Sequence, residues 1–303
     1  MTSISSEKKS IVGSKLYTTP DEHKIELFEQ VDAVKLRYII DHAEKLGLEK
    51  FNNTQGKPVD KDGQLTILKK YLKKVKNGRV QVNYKQKSKQ GRYFANGSLS
   101  LQNISRKIRH TIAKEFYFDV DIKNAHPTLL EWYCEQKGLK HTSLSDYIDN
   151  RDACLELLQE EKQWDRDTAK NFMIGIVNGS VLKQEEWEEY EEVWNYYTEL
   201  STIRQRVMEL EPDLVKLTKR KLKAKGKGDY NLDGKVVNNL MCGLENQILI
   251  EMVNFFHNKG LSAEVLCFDG LMIQKIEDPS HGEAEHPIYS YMRECEDYVL
   301  SET

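Results

Sequence analysis

"FYFDVDIKNAHPTLL", residues 116–130, ends an apolar, strand-like run in two acids, Asp119 and Asp121. The chain breaks at His126-Pro127 and resumes as a helix, with proline in the first turn, where a missing N–H costs nothing. Carboxylates at a strand end are expensive to cover unless something positive sits beside them. These are either surface acids at a turn or part of a metal site. A second stretch of the same design, "AEVLCFDGLMIQKI" at 263–276, reads as a β-hairpin carrying Asp269 at its Asp-Gly tip. If the two strands are neighbours in one sheet, Asp121 and Asp269 come close together. Carboxylates that close need a divalent cation to remain ionised.

A third stretch bears on the choice. "RDTAKNFMIGIVNGS", residues 166–180, spaces Arg166 and Lys170 four apart, so a helix projects both from one face. Arg as a fork and Lys as a point charge suit a triphosphate. The bland reading is a like-charge surface pair, mildly unfavourable to its helix. Gly175 would let another body approach that face, and Gly179 fits a helix C-cap.

At 303 residues the chain can bury a real core, in one large domain or two smaller ones. The N-terminal stretch "MTSISSEKKSIVGSK" lacks the apolar core of a secretion signal, and no run approaches a membrane span, so no membrane partner is expected. Five scattered cysteines form no CxxC pair, which argues against a zinc site or disulfide framework and for a reducing, intracellular location. The net charge of -3 hides segregation. Residues 69–92 hold ten Lys/Arg and no acid, "KRKLKAKGK" at 219–227 forms a second basic run, and "EEWEEYEE" at 185–192 opposes them. Such runs are solvated faces or polyanion contacts.

Helical spacing is read over 20–50 and 60–76, and "RVQVNY" at 79–84 alternates as a strand. A short amphipathic helix follows Gly97 and carries Arg106 and Arg109 on one face. Residues 140–210 and "GKVVNNLMCGLENQILIEMVNFFHNKG" read as helices, and "SYMRECEDYVLSET" stops in mid-helix, which suggests a continuing chain. The fold class is α+β.

The "RDTAKNFMIGIVNG" segment resembles the fingers-helix motif of family A DNA polymerases, Arg-x3-Lys-x4-Gly-x2-Tyr-Gly, with Arg166, Lys170, Gly175 and Gly179 on its positions. "DIKNAHPTLL" is similar to the first palm motif, with Asp121 on its metal-binding Asp. Asn124, His126, Pro127 and Thr128 also fit the family B version. "CFDGLMI" is similar to the last palm motif, with Asp269 on the second metal-binding Asp. "NNLMCGLENQIL" lies between, where the family has a helix containing Asn, Gly and an aliphatic pair. The motifs run in order over residues 100–275, and the nearest likeness is to divergent palm domains of large DNA viruses and related mobile elements, often joined to a helicase.

The resemblance implies a polymerase palm (an antiparallel sheet with helices), helical fingers and a mostly helical N-terminal region. The expected division is 1–95 nucleic-acid-contacting, 96–138 palm, 139–235 fingers and 236–303 palm. It implies template-directed DNA synthesis from dNTPs on a primer-template, in viral or mobile-element replication, with a replicative helicase as partner. Two Mg²⁺ ions, replaceable by Mn²⁺, would be held by Asp121 and Asp269. Lys170 would serve the leaving group, Arg166 would grip phosphates, and His126, Asn178 and Gly179 would line the nucleotide. Arg92, Arg106 and Arg109 would track nucleic-acid phosphates, with Tyr84, Tyr93 and Phe94 either stacking on bases or packing in the core.

Three departures stand out: Asn178 replaces the motif Tyr, His126 the Glu that helps exclude ribonucleotides, and Phe268 and Gly270 the residues that flank the last Asp. Asp119 shares a face with Asp121 and is either a third ligand or a support. The alternatives are a primase or primase-polymerase, a sugar-nucleotide transferase using DxD, and a nucleic-acid-binding module that has lost catalysis.

Overall fold

The computed structural model describes residues 24–48, 63–86, 91–276 and 287–302. In chain order the elements are β1 (Lys24–Gln30), α1 (Ala33–Asp41), α2 (Gly63–Leu72), β2 (Arg79–Gln86), β3 (Tyr93–Ala95), α3 (Arg106–Ala113), β4 (Tyr117–Asp121) and α4 (Ala125–Lys137). Then come α5 (Thr142–Asp149), α6 (Arg151–Lys162), α7 (Arg166–Val177), α8 (Gln184–Trp187), α9 (Glu191–Leu210), α10 (Pro212–Ala224) and α11 (Leu232–Asn258). The strands β5 (Ala263–Leu266) and β6 (Gly270–Gln274) and the helix α12 (Pro287–Glu302) complete the fold. The residues form two compact units. One takes in the chain up to Asp121 and from Asn246 onward, and the other is Ile122–Glu245. The expected 139–235 helical insertion lies inside the second.

The first unit holds two antiparallel three-stranded sheets, ordered β1-β2-β3 and β4-β6-β5. The fold is α+β. The N-terminal region departs from its mostly helical expectation: β1 occupies residues read as helix, and the helix begins only at Ala33. Every second residue of "KIELFEQ" is buried, as a half-covered strand requires, but the third inward position is an acid. Glu29 is wholly buried and accepts hydrogen bonds from the Tyr71 hydroxyl at 2.6 Å, the Tyr84 hydroxyl at 2.8 Å, the Leu101 N–H at 2.8 Å and the Ser100 hydroxyl. Burial raises its carboxyl above the ordinary range, against the pull of those donors.

Polar side chains tie the two sheets together. Gln102 donates to the carbonyls of Tyr93 (3.0 Å) and Leu266 (2.7 Å) and accepts from the Ala95 N–H (3.1 Å). The Tyr117 hydroxyl donates to Glu264 and accepts from the Gln30 N–H, both at 2.5 Å. Tyr84 and Tyr93 are 0% and 5% exposed, so neither offers a face to a base, and the core reading holds for both.

The second unit is helical among its described residues. Arg204 of α9 is nearly buried and clamps it: its guanidinium donates to the Ile176 carbonyl (2.8 Å), the Asp233 carboxylate (2.9 Å) and the Ser201 hydroxyl (2.9 Å). Replacing it with methionine keeps the length and orphans a carbonyl and a carboxylate. The expected cost is about 3–5 kcal/mol by urea unfolding, the range for removing one partner of a buried pair.

Candidate active site

Strand β4 pairs antiparallel with β6, in a register that sets Asp121 opposite Gly270 and Asp119 opposite Met272. Opposed residues of an antiparallel pair point to the same face. Asp121 therefore stands beside the hairpin tip whose preceding residue is Asp269, as the sequence predicts. Asp121 is exposed and Asp269 half-buried. The tip is held tightly. Phe268 adopts a left-handed backbone (φ 66), a conformation that costs an aromatic residue about 1–3 kcal/mol and that gathers at functional sites. Its ring lies 5.3 Å from the Arg92 guanidinium and makes an edge contact with Phe94 at 5.7 Å. The Cys267 N–H closes the turn on the Gly270 carbonyl at 2.7 Å, and burial pushes the Cys267 thiol up to about 12.

Gly270 leaves no room for a side chain. A Cβ there would lie 2.5 Å from the Val120 carbonyl oxygen and 2.8 Å from Asp121 Oδ1. Asp119 lies beside His110 Nε2 at 3.0 Å and the Arg109 guanidinium at 3.9 Å. Arg109 is therefore mostly covered, its side chain 15% exposed, while Arg106 on the same helix is exposed.

Among the described residues, no group of three or more His, Cys, Asp or Glu stands ready for a metal. Two carboxylates on one strand end and its neighbouring turn are a donor set that fits Mg²⁺, which binds through one or two carboxylates and completes its shell with water and substrate phosphates.

The second unit carries the other expected residues. Arg166 and Lys170 are both exposed on α7. Asp165 caps that helix by accepting from the Thr168 N–H at 2.7 Å, and the Arg166 guanidinium pairs with Asp152 at 2.5 Å. The close approach at Gly175 is filled from within the chain, by the Ser180 hydroxyl, 2.9 Å from where a Cβ would be.

Asn178 and Gly179 are engaged in packing. The Asn178 amide donates to the Ile174 carbonyl (3.0 Å), and its side-chain oxygen accepts from Asn238 (3.0 Å). Its backbone carbonyl accepts from Asn231 (2.9 Å). Gly179 has φ +84, and a Cβ there would lie 2.1 Å from Asn231 Oδ1. Gly234 is as tight, with a Cβ 2.2 Å from the Asn178 carbonyl oxygen.

His126, near the start of α4, lies 3.1 Å from the wholly buried Glu245 carboxylate on α11. Burial alone would lower its imidazole, but the contacts with Cys242 and Glu245 outweigh it and hold the pKa at about 9. Sequence reading missed Glu245, Asn231, Gly234 and Arg204. The one local signal was polar and glycine residues recurring inside the otherwise apolar α11.

No known protein-family profile matches the chain. A Sputnik virophage protein described as "Putative helicase V13" is 29% identical over 223 residues, covering 70% of this chain and 27% of its own length. The chain thus spans about a quarter of that relative. Among solved structures, the POL domain of Pol1 from M. smegmatis, in complex with DNA primer-template and dNTP, superposes with a TM-score of 0.56 at 11% identity. The match covers 91% of this chain and 64% of that one. The chain therefore has a polymerase-like α+β fold. No helix among the described residues is long and apolar enough to cross a membrane.

Proposed function

We propose that this chain is the palm and fingers of a template-directed DNA polymerase of the divergent family A type, acting in viral or mobile-element replication inside the host cell. Residues 96–138 and 236–303 would form the palm and 139–235 the fingers. The observation that carries the reading is the β4–β6 register, which sets Asp121 against the hairpin bearing Asp269. The likeness to a polymerase domain and to part of a virophage protein described as a helicase supports it.

Asp121 and Asp269 would hold Mg²⁺ or Mn²⁺. Bound there, the cations would neutralise the triphosphate and acidify the primer hydroxyl. The 3′-oxygen attacks the α-phosphorus of a dNTP and pyrophosphate leaves. Arg166 exchanges its exposed Asp152 partner for phosphate, and Lys170 meets the charge that develops on the leaving group. Arg92 and Arg106 contact nucleic-acid phosphates, while Arg109 orients Asp119 beside them. His126, Asn178 and Gly179 shape the nucleotide's surroundings.

Primer extension tests this. Wild-type protein with Mg²⁺ should extend a primer, and Asp269→Asn should lower the rate at least about a hundredfold, the scale of losing one preorganised electrostatic contact. Extension that survives the substitution would remove Asp269 from the chemistry. A second reading, de novo primer synthesis, is compatible with the similarity to a protein described as a helicase. Products from NTPs on unprimed single strands would select it.

A further inference from the structure

The second basic run has no part in the proposed chemistry, yet the structure gives it a definite form. Helix α10 is fixed by buried Thr218 and Leu222, and the Thr218 hydroxyl accepts from Asn239 at 2.9 Å. That anchoring leaves Lys219, Arg220 and Lys223 exposed, with Lys223 about one helical turn beyond the adjacent Lys219 and Arg220. The charge continues past the helix through exposed Lys225 and Lys227. None of these five has a carboxylate partner among the described residues, whereas Lys216 pairs with Asp213 at 3.1 Å. The cations crowd one another: burial first, then the Lys225 charge, lowers the Lys221 ammonium.

At the end of the run, Tyr230 is 87% exposed. Its backbone is pinned. The Leu232 N–H closes a turn on the Asp229 carbonyl at 3.2 Å, and the neighbouring Asn231 donates to the Asn178 carbonyl at 2.9 Å. A rigidly presented aromatic face beside a line of unpaired cations is the combination that binds single-stranded nucleic acid: charge follows the phosphates and the ring stacks on a base. A duplex hides its base faces, so the ring favours a single strand.

We propose that α10 and the turn carrying Tyr230, both in the second unit, form a single-strand nucleic-acid track. The track is measured without nucleotide or divalent cation, so it stands or falls apart from the polymerase reading. The experiment is fluorescence anisotropy of a labelled oligo-dT strand against salt, with wild type, Tyr230→Ala, Tyr230→Phe and the triple variant Lys219→Gln/Arg220→Gln/Lys223→Gln, each checked for native circular dichroism.

Removing three phosphate contacts should make the slope of log K against log salt shallower by about 2. Tyr230→Ala should weaken single-strand binding about fivefold or more and leave duplex binding unchanged, while Tyr230→Phe keeps wild-type affinity. An unchanged slope in the triple variant overturns the track. So does a Tyr230→Ala loss that is equal on duplex and single strand, or displacement of the strand by polyglutamate at equal charge, which would mark the surface as a site for acidic protein.

Discussion

Gly270→Ala is expected to destabilise the protein by about 2–4 kcal/mol and to abolish primer extension at least as fully as loss of Asp269. The added methyl carbon would stand 2.5 Å from the Val120 carbonyl oxygen and 2.8 Å from Asp121 Oδ1. The first is backbone within the β4–β6 ladder, where Val120 pairs with Leu271, and cannot step aside without breaking pairing. The second is the carboxylate on which the proposed chemistry depends. Both strands are otherwise buried on the opposite face by Val120, Leu271 and Ile273, so the sheet has little freedom to open.

Urea unfolding measures the first effect and primer extension at a temperature where the variant is folded measures the second. A folded variant with wild-type extension would show that Asp121 need not stand where the register puts it. The same geometry accounts for the glycine that follows Asp269. Gly270 is a position with no room for a side chain in this hairpin.

The sheet that carries Asp121 was legible because both of its halves announce themselves locally: an apolar alternating run, then a turn signal with an acid. The N-terminal sheet was not. In "KIELFEQ" the two-residue period is broken at its third inward position by Glu29, which is tolerated only because Tyr71, Tyr84, Ser100 and Leu101, 42 to 72 residues away, supply its donors. The true helical spacing of α1 follows within three residues, and its pattern spread backward over the strand.

Distance in sequence also hid the second unit's packing. Asn178 and Gly179 lie where a nucleotide-facing motif is expected, but Asn231 and Gly234, more than 50 residues on, fit against them. A tight glycine contact and a ligand-facing glycine have the same signature in one sequence. Arg109 shows a similar ambiguity: helical spacing put it on Arg106's face, and the carboxylate of Asp119 drew it inward.

His126→Leu is expected to cost about 3–5 kcal/mol, the range for stripping a buried carboxylate of a cationic partner. Glu245 is wholly buried, and the His126 ring lies 3.1 Å from it across 119 residues of chain. The pH dependence identifies the mechanism. The folded imidazole titrates at about 9, above its ordinary 6.5, so folding favours the protonated ring. Its contribution is fully present below pH 6.5 and fades as pH rises through 9, a change of about 3 kcal/mol across that window.

Wild-type stability should therefore fall between those limits, and the fall should flatten in His126→Leu. Glu245→Gln should instead keep a titrating histidine but move its midpoint downward, which proton NMR of the imidazole can follow. If the leucine variant retained the full wild-type pH slope, the ring would not be the titrating group. Because its contacts favour the protonated ring, the part proposed for His126 in shaping the nucleotide's surroundings has to be tested with a positive charge at that position as well as with a neutral one.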